Sequence, residues 1–147
     1  MDGDARSLVD SVSMNRVNDA LPAVEPALKI PARPQDVNMY GDIFGGWLMS
    51  QVDLAGAMRA IERSRGRVAT RAVSDFQFLK PVKVGDMVLA YADVEHVGRT
   101  SLTINVHVYV ERRTPPEFDA VVQKVAEARL VYVAMNADGS ARTVPPP

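Results

Sequence analysis

The chain has no cysteine among its 147 residues. That excludes disulfides, thiol nucleophiles and thiolate metal sites. Histidine is nearly absent too. Only His96 and His107 occur, with no close carboxylate spacing around them, so no metal site is expected. Neither sign of charge dominates: 17 basic residues against 18 acidic give a formal net charge of −1. A general nucleic-acid or membrane-surface binder needs a basic excess, so neither is expected. No apolar run approaches the roughly 18–20 residues of a membrane-spanning helix. The N-terminus carries early acidic residues and no apolar segment followed by a cleavage site, so the expectation is a cytoplasmic protein without a secretory leader. What is present suffices for one globular domain, with 47% hydrophobic residues.

The most informative feature is an aspartate inside an apolar segment. Residues 45–64 read as one helix, and its first part, Gly45-Gly46-Trp47-Leu48-Met49-Ser50-Gln51-Val52-Asp53-Leu54-Ala55-Gly56-Ala57-Met58, is apolar or small almost all round. Such a helix is expected to be buried on every side. An ionised carboxylate there needs a partner or a chemical task, because unpaired burial costs several kcal/mol or more. Asp53 is either paired, for example with Arg71 or a neighbouring strand, or employed. Gly45 and Gly46 upstream supply a helix start whose backbone N–H groups a ligand can approach.

Around this helix the pattern divides simply. Residues 1–27, with prolines at 22 and 26, read as a loose arm with a short helix near 7–17. Residues 27–31 start a strand that Pro31 and Pro34 restrict to an edge. A turn-rich loop over 35–42 leads into the helix. Strands are expected at 68–79, with Phe76 and Phe78 on one face, and at 87–97. The clearest strand has Leu102, Ile104, Val106, Val108 and Val110 alternating with polar or aromatic residues. Residues 120–135 mix helical and strand signals, and Leu130-Val131-Tyr132-Val133 favours a strand. One long helix followed by long antiparallel strands predicts an α+β fold in which the sheet curls around the helix.

The segment Asn38-Met39-Tyr40-Gly41-Asp42-Ile43-Phe44-Gly45-Gly46-Trp47-Leu48-Met49-Ser50-Gln51-Val52-Asp53 resembles the signature of hotdog-fold acyl-CoA thioesterases of the YciA type. Phe78-Leu79-Lys80-Pro81-Val82-Lys83-Val84-Gly85-Asp86, Val97-Gly98-Arg99-Thr100-Ser101 and Asn136-Ala137-Asp138-Gly139 are similar to three further blocks of that family, in order. The resemblance spans residues 28–144 and implies a hotdog domain there; residues 1–27, which read as a loose, flexible arm, match nothing in the family pattern. It implies an antiparallel sheet of five or six strands around the helix, a homodimer joined edge to edge with shared active sites, and hexamers as trimers of dimers. The implied reaction is hydrolysis of acyl-CoA to free acid and coenzyme A, without metal or organic cofactor. By matching positions, Asp53 is the implied catalytic carboxylate, Gly45 with Gly46 the carbonyl-polarising site, and Asn38 the residue that orients water or substrate.

Elementary chemistry agrees with these roles. A thioester carbonyl needs donors aimed at its developing oxyanion, worth roughly 3–4 kcal/mol for one good donor. Glycine permits close approach to the backbone, where the helix dipole also favours negative charge. A carboxylate sheltered from bulk water serves as general base or as nucleophile. Coenzyme A is polyanionic, so a basic rim is expected from Arg99, Thr100 and Ser101 at a hairpin, with Lys80 and Arg67. Blander readings exist for most of these residues. The glycines also suit close packing, Asn38 a turn, and Asp42 an N-cap or loop contact. Trp47, Met49 and Met58 are expected to be core or pocket wall, and the two histidines surface residues. Tyr40 and Phe76-Gln77 depart from the family pattern, which bears on acyl-chain preference rather than on chemistry.

Two rival functions differ in what they require. A non-catalytic acyl-CoA-binding hotdog module needs no carboxylate at position 53. A hotdog dehydratase is expected to use a histidine near its site, and neither histidine is close to the helix in sequence.

Overall fold

The computed structural model describes residues 18–147, and the short helix expected near 7–17 lies outside them. The elements are β1 (Leu28–Pro31), α1 (Gly45–Ser64), β2 (Val68–Phe78), β3 (Met87–Val97), β4 (Ser101–Arg113) and β5 (Ala120–Ala134). All five strands form one antiparallel sheet in the order β1-β3-β4-β5-β2. The sheet curls round α1, which touches every strand. This is the hotdog arrangement, and the ambiguous segment at 120–135 is a strand.

Alternation builds the core. Leu102, Ile104, Val106, Val108 and Val110 of β4 are fully buried, and Val125, Leu130 and Tyr132 of β5 join them beneath Val52 and Ala55 of the helix. β1 is short and lies at one edge, as its prolines require. The turn-rich loop before the helix contains a single 3-10 turn at Pro34–Asp36.

The helix departs from expectation. Complete burial is predicted for an apolar cylinder, yet Met49, Leu54, Met58 and Ile61 are each more than two-fifths exposed. The described chain covers only part of the helix surface. β2 supplies the reason: it is the other edge of the sheet, and nearly every residue of it is exposed. A long, unpaired edge beside an open apolar helix face is a surface that soluble proteins ordinarily cover.

One buried ion pair is structural. Asp86 is 1% exposed and receives bonds from Arg112 Nε at 2.8 Å, Arg112 Nη2 at 2.7 Å and the Lys83 amide at 2.9 Å. This bidentate pair ties the turn before β3 to the end of β4, and the carboxylate holds the Arg112 guanidinium more firmly protonated than usual.

Candidate active site

The start of α1 leaves amides unpaired. Its N-cap is Phe44, which provides no side-chain bond, and the first intrahelical bonds begin at Trp47 and Leu48. The N–H groups of Gly45 and Gly46 precede them and have no acceptor within the helix. Asp42 is not the cap. Its carboxylate pairs with Lys83, so it stabilises the loop, and Asn38 Oδ1 accepts from the amides of Tyr40 (2.9 Å) and Asp42 (3.1 Å). Asn38 thus organises the turn that delivers the chain to the helix.

Gly45 opens onto a cavity of about 240 Å³ lined by Ile43, Leu48, Phe78, Lys80, Pro81 and Val82. A side chain at Gly45 would bring its Cβ to 3.1 Å from the Phe78 ring. Glycine therefore lets an aromatic lid rest on the helix start. Phe76 and Phe78 share that aromatic corner, with ring centroids 4.7 Å apart.

Asp53 lies two turns further along and is half-buried. It pairs with neither Arg71 nor any other cation among the described residues. Its Oδ1 accepts from Thr70 Oγ1 at 2.7 Å and lies 3.1 Å from the Tyr132 hydroxyl, which also reaches the Asp53 carbonyl at 2.8 Å. Thr70 and Tyr132 are paired across β2 and β5, so adjacent strands present both hydroxyls to one oxygen. The ladder slips one residue after Thr70, at Arg71; such bulges re-aim side chains beside functional sites. Burial and the neighbouring carboxylate push the Tyr132 phenol far above its ordinary pKa, so it remains a donor. Neither hydroxyl stands out in the sequence. Thr70 sits in an unremarkable strand, and Tyr132 reads as core.

The basic candidates divide into two groups. Lys80 lines the cavity at the helix N-terminus. The Arg99–Ser101 turn and Arg67 sit at the opposite end, where Ser101 faces Val133 and the Arg67 carbonyl accepts from Met135. A helix of 20 residues is about 30 Å long, so one chain does not unite the groups. Arg67 donates to the Ala137 carbonyl at 3.3 Å. His96 is exposed, and His107 lies on the outer sheet face 3.6 Å from Glu127, away from α1.

Comparison with known proteins identifies the family and the fold. Residues 40–116 match the Thioesterase superfamily. The acyl-CoA thioester hydrolase YciA of Salmonella typhimurium is 45% identical over 127 residues, covering 86% of this chain and 95% of that protein. A hexameric thioesterase of Yersinia pestis superposes with a TM-score of 0.80 at 44% identity, covering 86% of this chain and all of the other. An acyl-CoA hydrolase of Staphylococcus aureus, solved with butyryl coenzyme A and coenzyme A, aligns with a TM-score of 0.70 at 28% identity, covering 80% and 70% of the two chains. That enzyme has also been solved as separate alanine variants of an asparagine, an aspartate and a threonine. With its hotdog sheet, glycine-led helix and hydroxyl-anchored aspartate, the chain belongs to the YciA-type acyl-CoA thioester hydrolases of the thioesterase superfamily.

Proposed function

We propose that this protein hydrolyses acyl-CoA thioesters to the free acid and coenzyme A, with Asp53 as the reacting carboxylate. The observation that carries the reading is the state of Asp53: partly sheltered, free of any cation among the described residues, and held at one oxygen by two hydroxyls. Three residues altered in the Staphylococcus aureus enzyme are spaced along its chain as Asn38, Asp53 and Thr70 are here, which supports functional weight at all three. As general base, Asp53 takes a proton from water while the water oxygen attacks the carbonyl carbon. The resulting oxyanion is received by the amides of Gly45 and Gly46. Collapse breaks the C–S bond, and the proton returns from Asp53 to the departing thiolate. As nucleophile, the same carboxylate forms an anhydride that water then cleaves.

The site is shared between two copies of the chain. Gly45 and Asp53 are eight residues apart on one helix, roughly 12 Å, whereas reacting atoms approach to about 3–3.5 Å. Two helices related by a two-fold axis bring the glycine pair and Asn38 of one chain to Asp53 of the other. The exposed edge β2 and the open helix face are the surfaces such a dimer covers. Antiparallel helices also bring Lys80 of one copy toward Arg67, Arg99, Thr100 and Ser101 of the other, which together form a rim for the coenzyme A phosphates. The hexameric thioesterases among the relatives suggest a trimer of such dimers. Residues 28–144 form the thioesterase domain, residues 1–27 an arm, and the location is cytoplasmic. In the described part of that arm, Asp19 bonds to β5 through its amide and its carboxylate.

Thiol release from acyl-CoA tests the activity, and Asp53→Asn tests the carboxylate. The variant keeps volume but cannot act as base or nucleophile, so turnover falls about 10²-fold or more while acyl-CoA binding persists. Retention of more than about a tenth of wild-type turnover would remove Asp53 from the chemistry. Binding without any thiol release by the native protein would instead favour a non-catalytic module.

A further inference from the structure

Tyr132 has no motif to recommend it, yet it is the largest fully buried side chain among the described residues. Its hydroxyl ends not in the core but on Asp53, 2.8 Å from the carbonyl and 3.1 Å from Oδ1. The route passes over Gly56, three residues beyond Asp53 and so on nearly the same face of α1. A Cβ at Gly56 would stand 2.3 Å from the phenol oxygen and 3.0 Å from two ring carbons. No side chain fits there while Tyr132 keeps its place. Gly56 is the notch through which a residue of the far strand reaches the helix.

The two sides of the carboxylate differ as a result. Thr70 donates to Oδ1, and the single Tyr132 proton is shared between Oδ1 and the Asp53 carbonyl, from adjacent positions on β2 and β5. Oδ2 accepts no bond from the described residues. It is not sealed in either, because the sole buried side-chain atom without a partner among those residues is Gln51 Oε1. Hydrogen bonds on Oδ1 fix the side-chain rotation and leave Oδ2 open to water or substrate.

We infer that Tyr132, seated in the Gly56 notch, is a positioning residue for Asp53, and that with Thr70 it makes Oδ1 the anchored oxygen and Oδ2 the reacting one. This rests on Asp53 being the reacting carboxylate. The alternative is a phenol that only satisfies a core position, which predicts lost stability and nothing else. Positioning predicts a change in the chemical step, because an unanchored carboxylate samples unproductive rotations. It also predicts that the loss falls on kcat and not on KM, a split that a purely structural role would not produce.

Tyr132→Phe keeps the ring and removes the hydroxyl. The expected result is a fall in kcat of about tenfold or more with a KM for acyl-CoA within about twofold. Gly56→Ala should lower kcat by displacing the phenol, and added to Tyr132→Phe it should lower kcat by less than it does alone. Gly56→Ala keeps the hydroxyl and moves it, so it tests the same role even if Tyr132→Phe does not fold. An unchanged kcat in folded Tyr132→Phe, whatever its melting temperature, would overturn the positioning role, as would an unchanged kcat in folded Gly56→Ala. Asp53→Asn run alongside separates the two failures: an active Asp53→Asn defeats the assignment of Asp53 itself, and an inactive one confines the failure to Tyr132.

Discussion

At the scale of single residues, the proposed site consists of ordinary groups around a half-buried aspartate and a helix start. A carboxylate, two hydroxyls and two backbone amides carry it. Burial and the Asp53 carboxylate both disfavour the Tyr132 phenolate, so the phenol's pKa is raised on folding. The sign for stability follows. A raised folded pKa contributes stability that is whole below the ordinary tyrosine range near about 10 and is lost as pH rises through the folded value. Above pH 10 the native protein should therefore lose about 1.4 kcal/mol more per pH unit than Tyr132→Phe does. Urea unfolding of both proteins between pH 8 and 11 measures this, and parallel curves would contradict it. Thr70 and Tyr132 escape a reading of the sequence because each looks like a normal strand residue. Only the pairing of β2 with β5 aims both at one oxygen.

At the scale of elements, the long helix and its glycine start are legible because helical period, composition and breakers agree. The observed bounds, Gly45–Ser64, coincide with the expected ones. Its end is more local. Arg65 closes the helix in the left-handed region at φ 57°, and the Arg142 guanidinium binds the Ser64 carbonyl at 2.8 Å and the Met135 carbonyl at 3.0 Å. A non-glycine residue pays a steric cost at that φ, so Arg65→Gly should stabilise the fold by up to about 1 kcal/mol. Thermal or urea unfolding tests it, and a loss of stability would show that the Arg65 side chain contributes more than its backbone costs. The 120–135 segment shows the opposite limit. Its alternation is imperfect, and strand identity is conferred by its place between β4 and β2.

At the scale of the whole molecule, the helix face that a periodicity argument would bury is open in the single chain. On the proposed dimer, Asn38→Ala and Asp53→Ala chains, each nearly inactive alone, should complement when refolded together. Random pairing makes about half the dimers mixed, each with one intact site of two, so about a quarter of wild-type activity should return. Mixed dimers seen by native mass spectrometry without regained activity would mean that each site is built within one chain. On that proposed dimer Arg99 would lie near the partner's helix start. Arg99→Ala should raise KM for acyl-CoA several-fold with little change in kcat, and should not affect a short acyl thioester lacking the nucleotide. An equal defect on both substrates would return Arg99 to an ordinary turn residue.

The sequence alone determined the elements up to β4, the glycine start of the helix, the aspartate within it and, through the motif from Asn38 to Asp53, the family. Those features depend on residues close together in the chain, where period, turn chemistry and motif spacing act directly. The tertiary structure decided what Asp53 touches, which of its oxygens is tied, why Gly56 must lack a side chain, and which helix face is left for another surface. These are contacts between residues up to 79 positions apart, as for Asp53 and Tyr132. They depend on strand order and register, which no local pattern encodes.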